Sequence, residues 1–170
     1  EVRLLDDEGR ELPPGEPGEL FGRSPYTMAG YLDDPEATAR AIRPDGFLTS
    51  GDVAVRDEEG FITIVDRKKD LIISGAANVY PREVEDVLLG CDGVSEVAVV
   101  GLPDEKWGEA VGAFIVPREG RTVDLGELEA SVRARLAGYK TPKVWKVVDA
   151  LPRNSNGKIL KRVLRDTYGK

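Results

Sequence analysis

The run Leu151-Pro152-Arg153-Asn154-Ser155-Asn156-Gly157-Lys158-Ile159-Leu160-Lys161-Arg162 places one long cationic side chain, Lys158, in a loop of small, polar and glycine residues just ahead of a helix-like stretch. An ammonium held there can reach out from a rigid base. Near a carboxylate and a phosphate it would offset their negative charge. A Gly-Lys pair taken alone suits an ordinary surface turn better. The chain has no histidine, which removes serine–histidine and cysteine–histidine catalysis and disfavours a transition-metal site.

The elements that must position Lys158 follow from patterning. Residues 1–65 read as β-rich, with turns at Asp7-Glu8-Gly9 and Glu58-Glu59-Gly60 and strand-like runs at Asp52–Arg56 and Phe61–Val65. A short helix opens at Pro35, where proline is tolerated in a first turn. This segment carries few large apolar side chains, so it reads as an incomplete β-rich piece that packs against something else. After Asp66 the pattern changes. Leu71–Ser74 and Asn78–Tyr80 form a hairpin around Gly75-Ala76-Ala77, and a helix runs from Pro81 to about Leu89. Val97–Val100 and Ala113–Val116 are continuous apolar runs typical of buried strands. Leu125, Leu128, Val132 and Leu136 recur at helical spacing behind a capping Asp124. A strand at Val144–Val148 and a basic helix from about Ile159 complete an α+β domain with helices on a sheet. Two domains are expected, 1–66 and 67–170.

Composition sets outer bounds. The chain has 170 residues, 41% hydrophobic and 32% charged, and a net charge of −7. Those values describe globular protein, and the acidic balance argues against nucleic acid as the main partner. Basic residues still gather at Arg67-Lys68-Lys69, from Lys140 to Lys146 and from Lys158 to Arg165. Such clusters are compatible with a small anionic ligand, although solvated faces are the commoner reading of each. No run approaches a transmembrane span, and the first residues show neither the charged leader nor the apolar stretch of a signal peptide. A single cysteine, Cys91, excludes an internal disulfide and fits a reducing cytoplasm.

Lys158 gains weight from its company. Gly18-Glu19-Leu20 with Gly30-Tyr31, then Asp45-Gly46-Phe47-Leu48-Thr49-Ser50-Gly51-Asp52, Asp66-Arg67-Lys68-Lys69-Asp70, Asn78-Val79-Tyr80-Pro81-Arg82-Glu83-Val84-Glu85 and Gly157-Lys158 occur in one order. That succession resembles the C-terminal portion of the adenylate-forming superfamily of acyl-CoA synthetases, firefly-type luciferases and peptide-synthetase adenylation domains. The resemblance covers nearly the whole chain. Ile72-Ile73-Ser74-Gly75 and Gly101-Leu102-Pro103-Asp104-Glu105-Lys106-Trp107-Gly108-Glu109 look most like bacterial fatty-acyl-CoA or related acid-CoA ligases.

The resemblance implies the end of a large adenylation domain followed by a mobile lid with its hinge near Lys69. It implies that Asp52 meets the ribose hydroxyls of ATP, since a carboxylate can accept two donors from a vicinal diol. Arg67 would add a ribose or phosphate contact, a surface ion pair being the competing reading. Lys158 would serve formation of acyl-AMP from a carboxylic acid and ATP. Gly75 and Ala76 would line the pantetheine path, and Trp107, Tyr139, Lys140 and Lys143 would meet the CoA nucleotide, with partial core packing equally open for Trp107 and Tyr139. Glu83 and Glu85 read as helix-start charges on the dipole.

Some relatives carry arginine at the position of Thr141. Relatives also usually show two glycines where this chain has Gly75-Ala76, so thioester formation is expected to be slower than adenylation. The phosphate loop of complete relatives is absent from these residues, and Mg2+ expected with ATP finds no identifiable ligand among them. The chain is therefore expected to be inactive without the missing N-terminal portion. The alternatives are a stand-alone module that binds CoA or protein, and an adenylating enzyme that loads a carrier protein.

Overall fold

The computed structural model describes residues 1–169. The chain forms two compact units, Glu1–Lys69 and Asp70–Lys170.

The first unit is a four-stranded antiparallel meander of β1 (Val2–Leu5), β2 (Gly18–Gly22), β3 (Leu48–Arg56) and β4 (Ile62–Arg67) in that spatial order. Helix α1 (Pro35–Ala41) interrupts the β2–β3 connection, with Pro35 in its first turn and the Asp34 carboxylate accepting the Ala37 N–H at 2.8 Å. The core is small. Leu5, Phe21 and Phe47 form its cluster. Phe47 is fully buried, yet cations cover its ring: the Arg3 and Arg23 guanidinium carbons lie 4.1 and 4.6 Å from the centroid. Phe61, Ile64, Leu32 and Tyr26 remain exposed. These apolar side chains have no place in so thin a core.

The second unit has β5 (Ile72–Ser74), β6 (Ala77–Val79), α2 (Pro81–Leu89), β7 (Val94–Asp104), β8 (Gly108–Pro117), α3 (Leu125–Arg135), β9 (Val144–Val147) and α4 (Lys161–Tyr168). Its sheet runs β6-β5-β8-β7, antiparallel throughout, and β9 adds to β8 in parallel. Side chains alternate across a strand, and here both faces are apolar. Val97, Val99, Val111, Ala113 and Ile115 point into a core with Val84 and Leu88 of α2 and Leu128 and Val132 of α3. Ala98, Val100, Leu102 and Phe114 point the other way, onto Leu151 and Leu164 of α4. The four periodic positions of α3 all serve the first core, Leu125 and Leu136 from its margin. Asp124 caps α3 by accepting the Gly126 and Glu127 N–H groups.

Two elements differ from the sequence reading. The apolar runs at 97–100 and 113–116 are the middles of one long hairpin, whose polar and Pro103-bearing ends hide its extent from hydropathy alone. The last helix starts at Lys161 rather than Ile159. Ile159 bridges Arg153 and the Leu160 N–H bonds the Pro152 carbonyl at 2.7 Å, so both close the preceding loop instead. No helix of the described residues is long and apolar enough to cross a membrane.

Phe114 is fully buried beneath α4, with its ring 4.8 Å from that of Tyr168. Truncation to Phe114→Ala is expected to cost about 3–5 kcal/mol of the second unit's stability. Urea unfolding followed by circular dichroism measures it.

Candidate functional site

Lys158 lies at the end of a closed loop rather than on a helix. The Asn154 side-chain oxygen accepts the N–H groups of Asn156 and Lys158 at 3.0 and 2.9 Å, and the Asn154 N–H returns to the Lys158 carbonyl at 3.0 Å. Gly157 has φ +80°, a left-handed conformation that glycine takes without strain. Arg153 donates to the Gly157 carbonyl at 2.5 Å and pairs with Glu96 of β7 at 2.5 Å. The backbone around Lys158 is thus fixed on both sides. Its side chain is exposed, and its ammonium has no partner among the described residues.

In the first unit Asp52 and Arg67 face each other across β3 and β4, with Arg67 Nε 2.7 Å from an Asp52 oxygen. Asp52 is largely covered and Arg67 half exposed. The β2–β3 register breaks between Glu19 and Phe21, where Gly51 takes φ +72°. Such an irregularity re-aims the side chain that follows it. The surface ion pair considered for Arg67 therefore exists, and its partner is the other ribose candidate.

Around the expected hinge, each flanking residue is tied within its own unit. Lys68 pairs with Asp7 and Glu19, each at 2.8 Å, and Asp70 pairs with Arg165 of α4 at 3.0 Å. Between them Lys69 is exposed in a single 3-10 turn, Lys68–Asp70. Burial works against the charge of Lys68, but the hydrogen bonds and charges of Asp7 and Glu19 hold its pKa above the ordinary lysine value.

The candidates for CoA gather at the other end of the second sheet. Gly75 and Ala76 form the two-residue turn between β5 and β6. The Gly75 N–H bonds the Trp107 carbonyl at 2.7 Å, and its φ is +65°. A Cβ at Gly75 would lie 3.1 Å from the Trp107 ring, a tight approach, so the positive φ and the neighbouring ring both favour glycine. Ala76 does not share the positive φ. Its methyl imposes no backbone strain, so strain gives no ground for slow thioester formation. A loop with positive φ at its first residue alone matches the type II′ preference.

Trp107 is 40% exposed and lies beneath Lys143, whose ammonium is 4.1 Å from the ring centroid. Tyr139 and Lys140 sit in a 3-10 turn that packs beside β6. Lys140, expected for phosphate, is committed to Glu83 in an ion pair. Thr141 is buried, its hydroxyl without a hydrogen-bond partner among the described residues, so it offers no surface contact to a phosphate.

Three carboxylates do more than the sequence indicated. Glu83 holds Lys140, and Glu85 accepts the Val99 N–H and pairs with Lys161, both at 2.8 Å, beyond any effect on the dipole of α2. Glu109 accepts the Ile73 N–H at 2.7 Å and thereby fixes the hairpin that carries Gly75. Room for its carboxylate comes from Gly101, where a Cβ would lie 2.6 Å from Glu109 Oε1. Residue type and spacing carry no trace of such cross-strand partners, although Gly101 and Glu109 share one motif. Among the described residues no group of three or more His, Cys, Asp or Glu is placed to hold a metal ion.

Residues 83–158 match the profile of the AMP-binding enzyme C-terminal domain. The chain is 49% identical to a feruloyl-CoA synthase from Amycolatopsis sp over 169 residues, which is 99% of this chain and 34% of that protein. It is 48% identical to a long-chain-fatty-acid–CoA ligase of Escherichia coli O6:H1 over 98% of this chain and 29% of the other. Against the ATP-bound crystal structure of MatB from Rhodopseudomonas palustris the TM-score is 0.94 at 40% identity, covering 100% of this chain and 34% of that one. The chain carries the C-terminal domain of the AMP-binding enzymes and spans about a third of the length of the curated relatives it matches.

The matched profile takes in Trp107, Tyr139, Lys140, Lys143 and Lys158. Asp52, Arg67, Lys69, Gly75 and Ala76 lie outside it, within the longer alignments to the CoA ligases.

The Lys68 pairs have a pH signature. Because its folded pKa stands above the unfolded value of 10.5, their contribution is complete below that pH and is lost as pH rises through the folded value. Thermal melts from pH 8 upward are expected to show a steeper alkaline loss for the native chain than for Lys68→Met.

Proposed function

We propose that this chain is the C-terminal part of an ATP-dependent acid-CoA ligase, in which it supplies the adenylation lysine and one wall of the CoA path. One observation carries the reading. Arg153 ties the Lys158 loop to Glu96, near the start of β7, whereas Gly75 and Trp107 lie at the β7–β8 tip beyond Asp104. A strand of that length spans roughly 25 Å. A single placement cannot bring both groups to one reacting centre.

Two placements answer two reactions. In the first, a substrate carboxylate oxygen bonds the α-phosphorus of ATP as the bond to pyrophosphate breaks, leaving acyl-AMP. Lys158, unpaired and carried on fixed backbone, offsets the charge that builds between acid and phosphate. In the second, the CoA sulfur bonds the acyl carbon, the bond to AMP breaks and the thiol proton leaves with solvent. Here the Gly75-Ala76 turn stands where a thin pantetheine arm passes close to backbone, and Trp107 with Lys143 offers an aromatic face and a cation to the nucleotide. The turn at Lys69 is the hinge, since the residues on either side of it are anchored and it is not. A fatty or aromatic acid is the substrate class, by likeness to the fatty-acid and feruloyl ligases.

Asp52 and Arg67 hold each other. The ribose diol of ATP would take the second Asp52 oxygen and compete for the first, so this pair keeps the carboxylate aimed.

The test separates the two reactions in a full-length enzyme ending in this chain. Lys158→Ala is expected to lower ATP–pyrophosphate exchange at least hundredfold while leaving conversion of supplied acyl-AMP and CoA to thioester within a few-fold. Undiminished exchange would remove Lys158 from its role. The 170-residue chain alone is expected to show no exchange.

A further inference from the structure

We infer that Arg153 is a positioning residue for adenylation, locking the Lys158 loop to the sheet, and that its partner Glu96 completes the lock. This rests on the proposed role of Lys158. The guanidinium spans two targets at 2.5 Å, the Gly157 carbonyl and the Glu96 carboxylate, so one side chain joins the residue before Lys158 to the start of β7. Arginine suits the task because its donors lie in a rigid planar fork, which a lysine ammonium lacks. The ion pair also leaves the lock electrically neutral, so it adds no second positive charge beside the reacting phosphate.

The surrounding loop depends on this contact. Asn154 binds the N–H and carbonyl of Lys158 from within the loop, but those bonds fix only the loop's internal shape. Its placement on the domain comes from outside partners. On the chain side beyond Lys158, Lys161 is tied to Glu85, and both are more than four-fifths covered. On the side before it, Arg153 and Glu96 are each about 40% exposed. The structure therefore assigns the buried pair to stability and the exposed one to aim. Removing an exposed pair costs little stability. A displaced ammonium costs much more in rate, because a shift of about 1 Å in a reacting group can lower rate about a hundredfold.

The experiment uses the full-length enzyme with four proteins: native, Arg153→Met, Arg153→Lys and Lys158→Ala. Each is assayed for ATP–pyrophosphate exchange and for thioester formation from supplied acyl-AMP, and its melting temperature is recorded. Arg153→Met is expected to lower kcat of exchange about tenfold to a hundredfold, with KM for ATP, thioester formation and melting temperature close to native. Arg153→Lys is expected to recover part of the loss. If Arg153→Met lowers both half-reactions together, or lowers the melting temperature in step with exchange, Arg153 is structural and the proposal falls. If exchange is unchanged in Arg153→Met but lost in Lys158→Ala, the positioning role falls and the Lys158 role stands. If Lys158→Ala retains exchange, the underlying reading fails first, and the positioning role with it.

Discussion

The β7–β8 hairpin is buried on both faces, and that constraint decides where anything else in the second unit can be. A strand pair whose odd and even side chains all enter cores has no surface for polar chemistry along its length. Charged groups are pushed to its two ends and to the loops that cross its edges. Glu96 marks one end and the Asp104–Gly108 turn the other. The Lys158 loop is fastened near the first, and Gly75 and Trp107 meet at the second. The separation of the two proposed chemistries would thus follow from apolar burial, before any substrate is considered.

The same rigidity explains how exposed functional side chains keep their aim. The Lys158 ammonium has no hydrogen-bond or ion-pair partner among the described residues, yet the N–H and carbonyl of both Gly157 and Lys158 are hydrogen-bonded. Gly75 holds a strained-looking turn without strain because it lacks a Cβ, and the nearby tryptophan occupies the space one would need. In both places backbone geometry is fixed by neighbours and the candidate group is left open. Pre-organisation of this kind favours stabilisation of charge that develops only during reaction.

Much of the fold was legible in the sequence because its signals are local. The hairpin at Gly75, helix α2 from Pro81, and α3 behind Asp124 follow from turn residues, caps and periodicity within a few residues. The extent of β7 and β8 was not, since their outer halves carry proline, glycine and acids whose place in a strand depends on the partner strand. The start of α4 was misplaced for a related reason: Ile159 and Leu160 look helical but are held by Arg153 and Pro152. Lys158, Asp52 and Arg67 are candidates through the order of motifs. Glu85, Glu96, Glu109 and Arg153 were not, because a carboxylate's partner 14 to 57 residues away leaves no spacing to read.

On the proposed reading, one domain presents two ends in turn to a single reaction centre. Lysine labelling tests it directly. A full-length enzyme ending in this chain would be treated briefly with an amine-reactive reagent in three states, and modification of Lys158 would be quantified by mass spectrometry. Labelling is expected to be high in the free enzyme and strongly suppressed with ATP and an unreactive acid analogue. It is expected to be restored when a non-hydrolysable acyl-adenylate and CoA are bound. Equal suppression of Lys158 in the last two states would mean that the lysine stays in place through both reactions, and would contradict the account.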